Sequence, residues 1–326
     1  MKINQFLKFT PILKEKIWGG EKLKTQLGKK LTASNVGESW EISTVEDAVS
    51  IVENGALAGE SLNNLIGLYK EELLGKSVYA TFGTQFPLLI KFIDAKEALS
   101  IQVHPNDLLA KERHQSFGKT EMWYVVQADA DANLIVGFKE DESPSSYLKH
   151  LEEHRLTEIL NIDKVVKGDV YFIPTGRVHA IGAGVLLAEI QQTSDITYRI
   201  YDWDRKDSEG NSRELHLNAA LDAIDYSSQE SYKTDYLKEE NTATKVISCP
   251  YFTTNFLPIS QRLELDHSDL DSFVIYMCVA GKVRLAYQDC EATLQMGETI
   301  LVPACIKTLS LIPEEFSELL EVYLTN

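Results

Sequence analysis

One seven-residue pattern occurs twice, 129 positions apart. Gly168-Asp169-Val170-Tyr171-Phe172-Ile173-Pro174 and Gly297-Glu298-Thr299-Ile300-Leu301-Val302-Pro303 share a glycine, an acid, three strand residues, an apolar residue and a proline. Glycine with an acid is turn chemistry, and the run that follows is strand chemistry closed by a proline that cannot donate to a ladder. A chain that repeats this unit is constrained to be β-rich and duplicated, with two similar barrels or sandwiches. The copies differ beyond the proline. The first places His179 five residues on, whereas the second runs Ala304-Cys305-Ile306-Lys307-Thr308 with no histidine. One unit is therefore equipped to bind a metal and the other is structural.

The rest of the pattern agrees with a mainly β fold. Short apolar runs at Leu88–Ile93, Leu99–His104, Met122–Val126, Leu134–Phe138, Val170–Ile173, Val185–Gln191 and Thr197–Tyr201 are separated by turn signals. Helical spacing appears at about 58–75, 143–160 and 212–225, the second opened by Ser143-Pro144, a cap followed by proline at the first helical position. The polar stretch 227–244 reads as a linker. Residues 1–226 then form the metal-bearing unit and 245–326 a second β unit without a metal site. Gly281-Lys282, between Phe273–Ala280 and Val283–Tyr287, reads as a hairpin turn.

Ser100-Ile101-Gln102-Val103-His104-Pro105 carries the chemistry. Side chains alternate along a strand, so Gln102 and His104 share one face and Ile101 and Val103 the other. An amide oxygen and an imidazole at this spacing can reach one ion. Glu121 and His179 supply a carboxylate and a second imidazole, and the set of two His, a Glu and a Gln suits zinc with a position left for water or substrate. The other histidines, His114, His150, His154, His216 and His267, fall in polar or helical contexts and read as surface residues. Cations interrupt the strands at Lys91, Lys119, Arg199 and Arg205. A charge there is costly unless it is paired or faces a cavity. Two readings stay open: ion pairs with Asp94 or Asp195, or a cavity lined by Lys and Arg for a phosphate.

The net charge of −17 argues against nucleic acid and anionic membranes as partners. No run approaches the roughly 20 apolar residues of a membrane span. Met1-Lys2-Ile3-Asn4-Gln5 lacks a signal-peptide pattern. The four cysteines, Cys249, Cys278, Cys290 and Cys305, form no Cys-x-x-Cys pair and read as reduced, which points to the cytoplasm.

Gln102-Val103-His104-Pro105, Lys119-Thr120-Glu121-Met122-Trp123, the Gly168…His179 segment and Ser194-Asp195…Arg199 occur in one order. With Ile17-Trp18-Gly19-Gly20, Gly37-Glu38-Ser39-Trp40-Glu41 and Glu189 through Arg205, they resemble the class I, zinc-dependent mannose-6-phosphate isomerases of the short bacterial type, over most of residues 10–210. The resemblance implies two cupin-like jelly-roll barrels with a helical insertion. It also implies one zinc ion per chain on Gln102, His104, Glu121 and His179, and a cytoplasmic monomer or homodimer. The implied reaction interconverts mannose 6-phosphate and fructose 6-phosphate through a cis-enediol. Arg199 matches the family's catalytic arginine, and Lys119 and Ser100 match residues beside the ligands. Lys91, Ser100 and Arg205 are candidates for substrate contacts. Asp195, Glu189 or a zinc-bound hydroxide are open as the base, with Asp195 the first choice. Two departures are Lys119-Thr120-Glu121-Met122, where longer members have Lys-Pro-Glu-Met, and Arg205 where some members have lysine. Two further readings are a cupin-type iron oxygenase, which also uses two His and a Glu, and a sugar-phosphate-binding regulator that kept the fold.

Overall fold

The computed structural model describes residues 3–31, 33–206 and 209–325. It is mainly β, with two two-sheet units. The first pairs a six-stranded sheet, in the order Ile12–Gly20, Val36–Ile42, Leu88–Ala95, Val185–Gln192, Glu121–Ala128, Val170–Ile173, with a five-stranded sheet in the order Tyr198–Tyr201, Ile101–Val103, His179–Ile181, Asn133–Phe138, Leu160–Lys164. The second pairs a five-stranded sheet (Thr244–Ser248, Thr253–Ile259, Ser317–Tyr323, Val274–Ala280, Thr299–Val302) with a four-stranded one (Leu263–Asp266, Thr308–Pro313, Lys282–Tyr287, Cys290–Gln295). The two repeated Gly…Pro segments supply the edge strands Val170–Ile173 and Thr299–Val302 of the two larger sheets.

The larger sheets pack back to back. Ile90, Phe92, Met122, Tyr124, Ala188 and Ile190 meet Phe256, Ile275, Met277, Leu320 and Val322 in one apolar cluster. Each fully buried Ile, Leu, Val, Met or Phe among them contributes roughly 1.5–3 kcal/mol. Alternation therefore turns Lys91, Trp123 and Glu189 to the inner face of the first unit, although every residue of Leu88–Ala95 and Val185–Gln192 is buried. A central strand buried on both faces is why these runs read as continuously apolar apart from their charged members.

The helical segments are shorter than their sequence periodicity suggests. The 58–75 region breaks into Leu62–Tyr69, Glu71–Leu74 and Lys76–Phe82, because Lys70 and Gly75 adopt positive φ at 47° and 95°. The 143–160 region gives Pro144–Glu152, capped by the Ser143 hydroxyl, and becomes strand by Leu160. The 212–225 region gives Leu217–Ala223. A helix at Asp107–His114, capped by Asn106, follows directly on Pro105. The Gly281 turn is not a hairpin within one sheet: Val274–Ala280 pairs with Ser317–Tyr323, and Lys282–Tyr287 pairs with Cys290–Gln295 and Thr308–Pro313 in the other sheet. Gly281 has φ 77°, and a side chain there would lie 2.3 Å from the Phe316 carbonyl, so the chain crosses between sheets where only glycine fits. The stretch 227–244 begins along the first unit, where the Tyr232 hydroxyl bonds both the N–H and the carbonyl of Phe138, and ends on the second, where Asn241 N–H donates to the Pro258 carbonyl.

Candidate active site

Two rows of side chains face each other inside the first unit. Across the six-stranded sheet, Trp40, Lys91, Glu189, Trp123 and Tyr171 stand in register on five adjacent strands. Across the facing sheet, Arg199 stands opposite Gln102, and Gln102 opposite His179. Pairing register thus sets opposite each other residues up to 98 positions apart (189 minus 91) without any local motif.

Between the rows, His104, Glu121 and His179 converge, each offering a ligand atom within 4.8 Å of the others. Glu121 Oε2 lies 3.6 Å from His104 Nε2, and Glu121 Oε1 lies 3.5 Å from His179 Nε2. The amide end of Gln102 lies 3.3 Å from His179 Nε2. The outer nitrogens are committed elsewhere: His104 Nδ1 bonds the Ile196 carbonyl at 2.9 Å and His179 Nδ1 the Arg177 carbonyl at 2.8 Å. A carbonyl only accepts, so both rings carry the proton on Nδ1 and present a bare Nε2 lone pair to the cluster. Burial keeps them neutral, pushing the His179 ring down to about 3 and His104 well below its usual range. Burial and the neighbouring Glu189 raise the Glu121 carboxyl to about 7, and its Oε1 is buried with no hydrogen-bond partner. Two bare imidazole nitrogens and an orphaned carboxylate oxygen aimed at one point are the donor set of a divalent cation.

The cations are arranged around this cluster. Lys119 pairs with Glu121 and reaches His104 Nε2 at 3.2 Å. Lys91 pairs with Glu189 at 3.1 Å, and Trp123 Nε1 donates to the other Glu189 oxygen at 2.9 Å. Burial works against ionised Glu189, but Lys119 and Lys91 outweigh it and hold the carboxyl down at about 2. Glu189, and not Asp94 or Asp195, is therefore the partner of Lys91, which corrects the ion-pair reading, and both side chains line the cavity. Asp94 instead accepts from the Lys22 backbone N–H at 2.6 Å. Buried pairs of this kind add little stability over apolar residues.

The cavity has a volume of about 450 Å³. Its walls include Lys14, Lys16, Lys91, Lys119, Arg199 and Arg213 against Glu38, Glu189 and Asp195, a local excess of three positive charges (six minus three) in a chain of net charge −17. Ser100 and Gln102 line it as well. Arg205 does not; its guanidinium bonds Asp202 at 2.6 Å. Lys14, Lys16, Glu38, Trp40 and Arg213 escaped the sequence reading as site residues. The first four sit on the two strands nearest one edge of the sheet, which approach closely because Gly19 and Gly37 lack side chains: a Cβ on Gly19 would lie 2.3 Å from the Asn35 carbonyl, and one on Gly37 2.4 Å from the Trp18 ring. The glycine-tryptophan clusters were the available signal. Among the described residues no helix is long and apolar enough to cross a membrane.

Comparison with known proteins places these features in a family. Residues 6–129 match the family described as phosphomannose isomerase type I, catalytic domain. The chain is 34% identical over 298 residues to a mannose-6-phosphate isomerase of Streptococcus mutans, covering 90% of this chain and 91% of that one. It is 35% identical to one of Bacillus subtilis, covering 90% and 92%. The crystal structure of the Bacillus subtilis mannose 6-phosphate isomerase superposes with a TM-score of 0.88 at 31% identity over 98% of this chain and 99% of that one. A phosphomannose isomerase variant from Salmonella typhimurium, at 17% identity, shares the fold with a TM-score of 0.78 over 99% of this chain and all of that one.

Proposed function

We propose that this chain, which belongs to the phosphomannose isomerase type I family, interconverts mannose 6-phosphate and fructose 6-phosphate with a zinc ion held by Gln102, His104, Glu121 and His179. The observation that carries the reading is the convergence of two bare histidine nitrogens and the orphaned Glu121 oxygen behind Gln102 and Lys119, which contact the two rings and line a cationic cavity. Nitrogen and oxygen donors in this number suit zinc. When bound, the metal supplies Lewis-acid stabilisation of negative charge developing on the sugar's carbonyl oxygen.

The chain's own groups do the rest. The substrate opens to its aldehyde form; a proton leaves C2, the C1 carbonyl oxygen becomes an enol oxygen, and a proton returns to C1 as the C2 oxygen becomes the new carbonyl. Lys119, fixed between Glu121 and His104, directs a charged donor at the reacting oxygens. Arg199, one strand from Gln102, adds a second. Of the cavity carboxylates, Glu189 has both oxygens engaged by Lys91 and Trp123 and is a positioning group. Asp195 lines the cavity, and its carboxylate has no hydrogen bond among the described residues; it is the carboxylate free to move a proton. Ser100 and Lys91 are placed to meet sugar hydroxyls. Residues 1–226 form the catalytic unit, 227–244 the connection, and 245–326 a metal-free second unit.

The test is isomerisation of mannose 6-phosphate by the purified protein, before and after chelation and after zinc is restored. Turnover that disappears with the chelator and returns with zinc supports the reading. A zinc-loaded protein without turnover overturns it and favours a sugar-phosphate-binding role; iron loading with oxygen-dependent turnover favours an oxygenase.

A further inference from the structure

We infer that Arg213 anchors the substrate's phosphate, the role that the resemblance offers to Arg205. The inference rests on the isomerase reading and deepens it. Arg213 lines the cavity and Arg205 does not. Arg205 is turned to Asp202 and, at 4.0 Å, to the exposed Glu97.

Arg213 is held as a binding group should be. Its Nε donates to Asp202 Oδ2 at 2.7 Å and its Nη2 to Asp202 Oδ1 at 2.5 Å. This fork-to-carboxylate contact fixes the guanidinium plane and leaves Nη1 without a partner among the described residues. The segment carrying Arg213 is tied to the strand carrying Arg199. His216 N–H donates to the Arg199 carbonyl at 2.8 Å, and Arg199 N–H donates to His216 Nδ1 at 3.1 Å. Arg199 Nη1 donates to the Glu214 carbonyl at 2.8 Å. The two guanidiniums are therefore fixed as neighbours. Arg199 Nε is buried with no hydrogen bond, and burial together with Arg213 makes its charged form less favourable than in water. A dianion on Arg213 would relieve the like-charge cost between the two and leave the Arg199 Nε for a sugar oxygen.

The charge count agrees. Arg199, Arg205 and Arg213 face two carboxylates, Asp202 and Glu97, leaving +1 (three minus two) beside a phosphate monoester that carries about −1.5 to −2 at neutral pH. On the opposite wall Lys16 is paired with Glu38 at 3.1 Å, Lys91 with Glu189 and Lys119 with Glu121. Geometry agrees too. Arg199, Gln102 and His179 sit on three adjacent strands, spaced about 4.8 Å apart, so a phosphate on the Arg213 side of Arg199 lies at the far end of the cavity from the histidines, with the sugar between.

The experiment compares metal-loaded wild type with Arg213→Ala, Arg213→Lys and Arg205→Ala. It measures KM for mannose 6-phosphate, the competitive inhibition constant of inorganic phosphate, metal content and thermal midpoint. Arg213→Ala should raise both constants by about tenfold to a hundredfold, the range of a charge-assisted hydrogen bond. Arg213→Lys should recover part of the loss, and Arg205→Ala should move both constants less than Arg213→Ala does, because the Arg205 guanidinium is spent on Asp202 and does not line the cavity. A merely structural role through Asp202 would lower the thermal midpoint and leave the inorganic phosphate constant unmoved. That result, or a larger effect from Arg205→Ala, overturns the inference. Absence of turnover in wild type would instead overturn the isomerase reading, while direct titration with inorganic phosphate would still test Arg213.

Discussion

In the first unit Glu189 sits between Lys91 and Trp123; in the second, Glu321 sits between Asn255 and Tyr276. The correspondence is positional. Asn255 stands opposite Glu321, Glu321 opposite Tyr276 and Tyr276 opposite Ile300, just as Lys91, Glu189, Trp123 and Tyr171 stand in the first unit, and Tyr171 and Ile300 are the same position of the repeated Gly…Pro segment. The hydrogen bonds match as well: Tyr276 donates to one Glu321 oxygen at 2.8 Å and Asn255 to the other at 2.8 Å. The same row therefore serves two ends. In the first unit it borders a cavity of about 450 Å³; in the second it is closed in by the packed side chains of Val283, Leu285, Leu294, Ile300 and Leu311. Among the described residues the second unit has no cluster like that of His104, Glu121 and His179, and two positions differ. Glu121, two before Trp123, corresponds to Val274, two before Tyr276. His179, opposite Gln102, corresponds to Thr308, opposite Asp266.

The largest effect should come from making the first unit resemble the second. His179→Thr installs the residue of the other copy, and should remove bound metal and lower turnover by about three orders of magnitude, the several kcal/mol that a Lewis acid supplies; metal analysis beside the kinetics checks it. If turnover and metal content survive, the ligand assignment is wrong. Next come the two central glutamates. Glu189→Gln leaves Lys91 without its carboxylate and should cost about 3–5 kcal/mol of stability along with most activity. Glu321→Gln disturbs neutral donors only and should cost about 1–3 kcal/mol with turnover unchanged. Denaturant unfolding paired with the isomerase assay separates them, and equal losses of activity would break the comparison.

A smaller contrast lies in pH. The buried ring of His179 resists protonation down to about 3, whereas an unfolded chain takes up that proton near 6.5. The unfolded state binds more protons in this window, so stability of the metal-free protein, full at pH 7.5, should fall progressively as the pH drops below about 6.5. Urea unfolding at pH 7.5 and 5.5 measures it. In the His179→Thr variant the drop should shrink, and an unchanged drop would show that other groups are responsible.

Much of this was legible in the sequence. The repeated Gly…Pro segment announced two β units, and the alternation in Ser100–Pro105 put Gln102 and His104 on one face; both follow from local periodicity. Strand ends were legible to within two residues at most of the seven runs, since turn chemistry punctuates them. What sequence could not supply is register between distant strands. It is register that sets Glu189 beside Lys91, Trp40 beside Lys91, and the Arg213 segment against Arg199. Spacing after Arg199 favoured Arg205, but Asp202 draws that side chain away from the cavity and turns Arg213 into it. His267, read as a surface residue, lies beside the buried pair of Tyr276 and Glu321 at 2.9 Å from the tyrosine oxygen, for the same reason: the partner is nine residues away in sequence and on another sheet.

Metal stoichiometry measured together with activity is the most direct test of a duplicated scaffold with one working centre. Protein stripped of metal and titrated with zinc should regain mannose 6-phosphate isomerisation linearly up to one ion per chain and then plateau, and His179→Thr should bind none at that affinity. Activity in the metal-free protein, or a plateau at two ions per chain, would contradict the account.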